Sequence, residues 1–360
     1  MKAAVLYEHK TPLKMEELNL NDPGHGEVLV ELRASGVCHS DWHVVKGEWT
    51  QVALPVILGH EGAGVVTETG PDVTNLQAGD HVILSWKTSC GLCEMCQKGW
   101  PNLCYSSPEP SHKPTLCSNG EEMNRFINLG TFATHTVVPE EAAVQIDRDI
   151  PFAQASLIGC GVMTGVGAVL NTARVEPGTS VAVFGCGGVG LNCIQGADLA
   201  GATVIIGVDL SDFKLDLARQ FGATHTVNAG KENAVDRILE LTGGLGVHYA
   251  FEAIGMHAEP FVQSIRCTRR RGTTVWVGHA PIDTPVTIDA RDLLFEKTVI
   301  GSMYGSARPH IDFPRLLNLY KAGRLRLDEL ISREFKLEEV NDAFEVLGKG
   351  EVARSVLILD

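Results

Sequence analysis

Apolar and polar positions alternate in short runs through the first third of the chain: AAVLY (3–7), EVLVELR (27–33), GVVTETG (64–70) and GDHVIL (79–84). A period of two, punctuated by Pro23, Gly24 and Gly26, predicts half-buried β-strands joined by turns. Residues 105–128 are polar and irregular, and no chemistry is placed on them. From 151 the pattern changes to an apolar, small-residue helix, PFAQASLIGCGVMTGVGAVLNTARV, entered through an SLIGCG turn. Strand-like runs then alternate with helical ones: VAVF (181–184), TVIIGV (203–208), ATHTVN (223–228), HYAFEAIG (248–255), TTVWVGH (273–279) and TVIGSMYG (298–305). Between them lie the helix patterns DFKLDLARQF (212–221) and AVDRILELT (234–242). That alternation predicts an α/β fold with a doubly wound parallel sheet over residues 162–303. The last segment, 304–360, carries two helix patterns and a closing strand and is expected to return to the first domain. The expected organisation is a β-rich domain of residues 1–161 plus 304–360, and a nucleotide-type domain of residues 162–303.

A chain of 360 residues is long enough for two cores. Its 44% hydrophobic and 21% charged residues describe a globular protein. The net charge of -14 argues against nucleic acid or an anionic membrane as partner, because both require a basic face. The start, MKAAVLYEHK, lacks the marks of a secretory signal, and no uninterrupted apolar stretch approaches the length of a membrane span. A cytoplasmic chain is therefore expected, and its ten cysteines point to metal binding or chemistry more than to disulfides.

Three stretches concentrate chemistry. GVCHSDWHVVKGEWTQVALPVILGHEGAG (36–64) sets Cys38, Ser40, Asp41 and His43 within six residues and follows them with His60 and Glu61. Cys and His are ligands that zinc selects, and a catalytic zinc takes three protein ligands with one position open. Two are present here, so the third comes from elsewhere; Cys160, in the SLIGCG turn, is a candidate whose spacing equally suits a packed thiol. CGLCEMCQKGWPNLC spaces Cys90, Cys93, Cys96 and Cys104 as C-x2-C-x2-C-x7-C, the pattern of a structural zinc site, with disulfides and an iron–sulfur cluster as rivals. In SVAVFGCGGVG a strand runs into Gly185, Gly187, Gly188 and Gly190, a helix follows, and a second strand ends on Asp209. The glycines permit close approach of a pyrophosphate to a helix N-terminus, and the carboxylate suits a ribose diol while repelling a 2′-phosphate, so NAD is favoured over NADP.

In this order and spacing, GVCHSDWH, LGHEGAG, the four-Cys loop, IGCGVMTG, FGCGGVG and Asp209 resemble the zinc-containing medium-chain alcohol dehydrogenases, in the long-chain branch that includes the liver-type and glutathione-dependent formaldehyde dehydrogenases. The resemblance spans essentially the whole chain. It implies a GroES-like catalytic domain beside a Rossmann domain, two Zn2+ per chain, and reversible hydride transfer between a primary alcohol or aldehyde and NAD. It makes Cys38, His60 and Cys160 the catalytic ligands and Cys90, Cys93, Cys96 and Cys104 the structural ones. Asp41 then orients His60, Glu61 stands behind the metal, and Ser40 and His43 form a proton relay. Thr164, Val189 and Met303 fall around nicotinamide and substrate, Lys214 near the adenosine ribose, and Arg354 near the pyrophosphate. Trp49 and Trp86 match pocket positions, and a homodimer or homotetramer is implied.

Departures narrow the substrate. The glutathione-dependent members carry an acid where Trp49 stands and an arginine where this chain has Pro108. Two indoles favour apolar or aromatic alcohols over a charged thiol adduct. His39 replaces an arginine that many members set against the pyrophosphate. The rival readings are a formaldehyde dehydrogenase using another low-molecular-weight thiol, an enzyme that never releases NAD, and a non-catalytic nucleotide-binding redox sensor.

Overall fold

Strand Glu27–Val37, the longest in the chain, is the spine of the first of two units in this computed structural model, which describes residues 1–359. That unit comprises Met1–Cys160, Arg308–Gly323 and the segment from Leu327 onward. Glu27–Val37 pairs antiparallel with Gly62–Thr69, His135–Pro139 and Arg354–Ile358. Their seven-stranded sheet runs in the order Ala143–Ile146, His81–Leu84, Gly62–Thr69, Glu27–Val37, Arg354–Ile358, Ile331–Lys336, with His135–Pro139 alongside the central strand. The period-two pattern has its physical meaning here: Val28, Val30, Leu32 and Ala34 face inward and are fully or almost fully buried, together with Val66, Val82 and Leu84. Each large aliphatic side chain so buried contributes roughly 1.5–3 kcal/mol. A smaller five-stranded sheet contains Lys2–Leu6 and Lys14–Asn19.

The second unit, Gly161–Ala307 with Arg324–Arg326, holds six parallel strands. Their order is His225–Asn228, Val204–Asp209, Ser180–Phe184, Val247–Glu252, Thr268–Trp276, Thr298–Gly301. In sequence order that is 3-2-1-4-5-6, the dinucleotide-binding arrangement. All five residues of Ser180–Phe184 are buried, as a strand covered on both faces requires, which is why it reads as a continuous apolar run.

One expectation is corrected. The SLIGCG segment is no turn: Phe152–Leu157 is α-helical, Ile158–Val162 widens into a π-turn around Cys160, Met163–Gly167 returns to α, and Ala168–Ala173 is again π. Phe152–Ala173 is also, among the described residues, the one helix long and apolar enough to cross a membrane. Some 72% of its most apolar window is buried inside the protein, the hallmark of a core helix.

Candidate functional site

Cys38 follows the last residue of the central strand and caps the helix His39–Val45. One helical turn later that helix presents Asp41, fully buried. Its carboxylate accepts the Gly59 N–H at 2.8 Å and lies 3.2 Å from Nδ1 of His60. A carboxylate only accepts, so Nδ1–H donates to it and Nε2 is the nitrogen left for the cluster. That Nε2 is buried and has no hydrogen-bond partner, which is costly unless something electropositive faces it.

What converges there is a donor set. One ligand atom each from Cys38, His60, Glu61 and Cys160 lie within 4.8 Å of one another. The hydrogen bond from Cys160 pulls the Cys38 thiol well below its usual range, aided by the charge on His60. The same bond, with burial, pushes Cys160 well above. Burial alone would leave His60 neutral, but Asp41 and Cys38 draw a proton to it. Groups that compete for a proton at one buried point also attract a dication, and two thiolates with one imidazole match the zinc preference. The residues present therefore fit a catalytic zinc.

Glu61 is fully buried, and its carboxylate is ion-paired with Arg354. Burial pushes Glu61 up to about 7 against the pull of the guanidinium; Arg354 is pushed up because the anions Glu61 and Cys38 outweigh its own desolvation. The partner comes from 293 residues away, delivered by the pairing of Ser355 with Val37. The sequence reading set Arg354 near a pyrophosphate and did not foresee this ion pair. Replacing Arg354 by leucine is expected to cost about 3–5 kcal/mol, because a buried charge loses its counterion. The urea midpoint would report it, and adding Glu61→Gln should recover most of the loss.

Ser40 Oγ lies 3.8 Å from the Cys38 sulfur. His43, three residues further on the same helix face, stacks on Trp49 with ring centroids 5.5 Å apart. Trp49 meets Phe126 at 6.3 Å, and Phe126 meets His60 edge-on at 5.5 Å. Phe126 corrects the expectation that residues 105–128 carry no chemistry: it is buried and touches a candidate ligand. An apolar residue in an irregular stretch offered no periodicity by which to find it. Trp86 is partly buried against the same core, while His39 is exposed with its ring 6.3 Å from that of His43.

The second cluster joins Cys90, Cys93, Cys96 and Cys104, again with ligand atoms within 4.8 Å. The sulfurs of Cys93 and Cys96, and of Cys90 and Cys104, are 3.5 Å apart, and all four are free thiols. Backbone N–H groups of Cys93, Cys90 and Ser106 donate to these sulfurs at 3.3–3.4 Å. Backbone hydrogen bonds bring Cys93 down to about 6, whereas desolvation and the neighbouring thiols raise Cys96 to about 12. The short helix inside the loop, Glu94–Gln97, buries no residue.

In the second unit the helix Gly188–Leu199 begins without a side-chain cap, so its first N–H groups are open to an anion. A Cβ on Gly190 would lie 1.7 Å from the Gly185 carbonyl oxygen, so only glycine lets this helix start so close to the strand. Asp209 accepts the N–H groups of Cys186 and Ser211 at 2.8 and 3.0 Å, which fixes its carboxylate beyond the strand end. This cradle fits a dinucleotide. Thr164, Val189, Lys214 and Met303 belong to this unit, Met303 half exposed. Glu252, which the sequence reading passed over, is buried at the end of its strand, where it accepts the N–H groups of Ile254 and Gly255.

Two family models and many relatives match this chain. The family model described as alcohol dehydrogenase GroES-like domain matches residues 24–148, and the one described as zinc-binding dehydrogenase matches residues 188–322. The S-(hydroxymethyl)glutathione dehydrogenase of Paracoccus denitrificans is 38% identical over 99% of each chain. Alcohol dehydrogenase B of Mycobacterium tuberculosis is 38% identical over 99% of this chain and 97% of its own. Among solved structures, benzyl alcohol dehydrogenase from Acinetobacter calcoaceticus superposes with a TM-score of 0.93 at 34% identity, covering 100% of this chain and 99% of the other.

Proposed function

The chain belongs to the zinc-containing medium-chain alcohol dehydrogenase family, and from that premise we propose an NAD-dependent enzyme for primary apolar or aromatic alcohols and their aldehydes. Cys38, His60 and Cys160 are the proposed holders of the catalytic zinc, and Cys90, Cys93, Cys96 and Cys104 of the structural one. The observation that carries the reading is the buried, unpartnered Nε2 of His60 facing two thiols. Zinc, when bound, acts as a Lewis acid on an alcohol or carbonyl oxygen, and NAD, when bound, exchanges hydride with the substrate carbon.

The remaining work falls to the chain. Asp41 holds His60 in the tautomer that leaves Nε2 free. Ser40 receives the proton that the alcohol loses, and His43 passes it toward solvent. Trp49, Trp86 and Phe126 supply aromatic walls that suit a ring and offer nothing to a charged adduct. Asp209 with the Gly185–Gly190 turn receives the adenosine half of NAD, and Ser211 provides no cation for a 2′-phosphate. Thr164, Val189, Lys214, His39, Arg354 and Met303 keep the cofactor and substrate roles that the family resemblance implies. A cytoplasmic homo-oligomer completes the proposal.

The test is zinc content and turnover of the purified protein with NAD or NADP on a panel of primary alcohols. Two zincs per chain, NAD reduction, and kcat/KM for benzyl alcohol at least about tenfold above ethanol are expected, since about 1.4 kcal/mol of aromatic contact suffices. Preference for NADP would overturn the role given to Asp209, and formaldehyde oxidation only with an added thiol would replace this reading with the thiol-dependent one. NAD binding without turnover on any substrate would favour a sensor.

A further inference from the structure

The proton path proposed above ends, in sequence terms, at His43, yet the His43 ring does not end at water. Its Nδ1 is 2.5 Å from Oε2 of Glu48, and the other carboxylate oxygen of Glu48 is 2.9 Å from Nζ of Lys46. The backbone builds this contact. The helix His39–Val45 is capped by Lys46 and closed by Gly47 at φ +70°. The Gly47 N–H donates to the Val44 carbonyl at 3.0 Å, and the Glu48 N–H to the His43 carbonyl at 2.9 Å. These two bonds form a Schellman turn, which reverses the chain at its left-handed glycine. The reversal carries Glu48 back over the residue five positions earlier. Trp49, the next residue, stacks on the same imidazole, so the ring is held on one face and at one nitrogen.

We propose that Glu48 is a positioning residue for proton release: it fixes the tautomer of His43 and stabilises the imidazolium formed when the ring takes the outgoing proton. The inference rests on the relay reading of Ser40 and His43. A carboxylate cannot donate, so Nδ1–H of His43 donates to Glu48, and Nε2 keeps the lone pair that accepts a proton from the hydroxyl side. When Nε2 gains a proton, the imidazolium that forms is stabilised by the ionised Glu48 carboxylate at Nδ1–H, and water or buffer base then takes one proton from the ring. One proton enters and one leaves per alcohol oxidised; no other reactant is needed. The Lys46 ammonium occupies the second carboxylate oxygen, which holds Glu48 in place and keeps it ionised: hydrogen bonds from Lys46 and His43 outweigh burial and lower its pKa. The groups facing His43 are therefore Glu48 and Lys46 beyond the helix end and His39 on the helix itself.

Two readouts test this on the full chain. In protein labelled with 15N-histidine, the parent is expected to show a downfield, slowly exchanging Nδ1–H resonance that His43→Gln identifies by its loss. Glu48→Gln should abolish or strongly shift the same resonance. In zinc-loaded protein, first-turnover NAD reduction by benzyl alcohol near neutral pH is expected to slow at least about tenfold in Glu48→Gln, within the range for a lost acid–base group. KM and zinc content should not change. Added imidazole should restore most of the rate in the variant and leave the parent unaffected, and Glu48→Asp should retain an intermediate rate. An unchanged resonance and an unchanged first-turnover rate in Glu48→Gln would overturn the role of Glu48. If His43→Gln also turns over at the parental rate, the relay reading itself fails; if only His43→Gln is slow, the relay stands and Glu48 has no part in it.

Discussion

Serine in place of Cys38 is expected to leave one zinc per chain instead of two and to slow alcohol oxidation at least about a thousandfold, because Lewis-acid stabilisation is worth several kcal/mol and each 1.36 kcal/mol is tenfold. Cys38 sits between the central strand and the first helix, with Cys160 hydrogen-bonded to it and His60 beside it. Removing its thiolate therefore strips the cluster of the anion that the other donors are arranged around. The expected pattern is loss of metal and rate with NAD affinity and the thermal midpoint largely kept, since the dinucleotide cradle belongs to the other unit and the sheet core does not include the sulfur. Metal analysis, calorimetric NAD titration and a thermal scan distinguish this from unfolding. Two zincs retained at full turnover would remove Cys38 from the ligand set.

The second large effect concerns stability. Cys93→Ser is expected to lower the thermal midpoint by on the order of 10 °C and to open the 90–104 loop to trypsin at Lys98, while one zinc remains. The loop has little apolar packing to hold it: Glu94–Gln97 buries no side chain, and Leu92, Trp100 and Leu103 are exposed. Structural zinc contributes about 10–16 kcal/mol in small peptides, and only a few kcal/mol of that needs to be felt by the whole chain to give this shift at about 2–4 °C per kcal/mol. An unchanged midpoint and no new cleavage would show that the loop is held by its backbone alone.

How much of this was legible from the letters depended on chain distance. The dinucleotide frame was readable because its parts are adjacent: Gly185, Gly187 and Gly190 lie in one turn, and Asp209 one helix and one strand later. The four thiols Cys90, Cys93, Cys96 and Cys104 fall within fifteen residues, so their spacing already pointed to one shared site. Parallel strands buried on both faces read as apolar runs, and half-buried antiparallel ones as alternation, which is why the change of architecture was visible near 151.

The proposed catalytic cluster was legible only in fragments. Nothing in its local spacing links Cys160 to Cys38 and His60; the family resemblance nominated it, and it lies in the π-turn of the helix Phe152–Ala173, with its ligand atom within 4.8 Å of theirs. Phe126 lies in a segment with no periodicity, and Glu48 reads as an ordinary solvated acid. By itself the sequence determined the two-unit plan, the dinucleotide turn, the structural thiol loop and the identity of the metal-type donors, because each is encoded by residues close along the chain. Only the tertiary structure decided that Arg354 pairs with Glu61 across 293 residues, that Phe126 rests on His60, and that Glu48 closes on His43. Those contacts arise from sheet pairing, core packing and a left-handed turn, which bring together side chains whose spacing in the sequence carries no trace of the meeting.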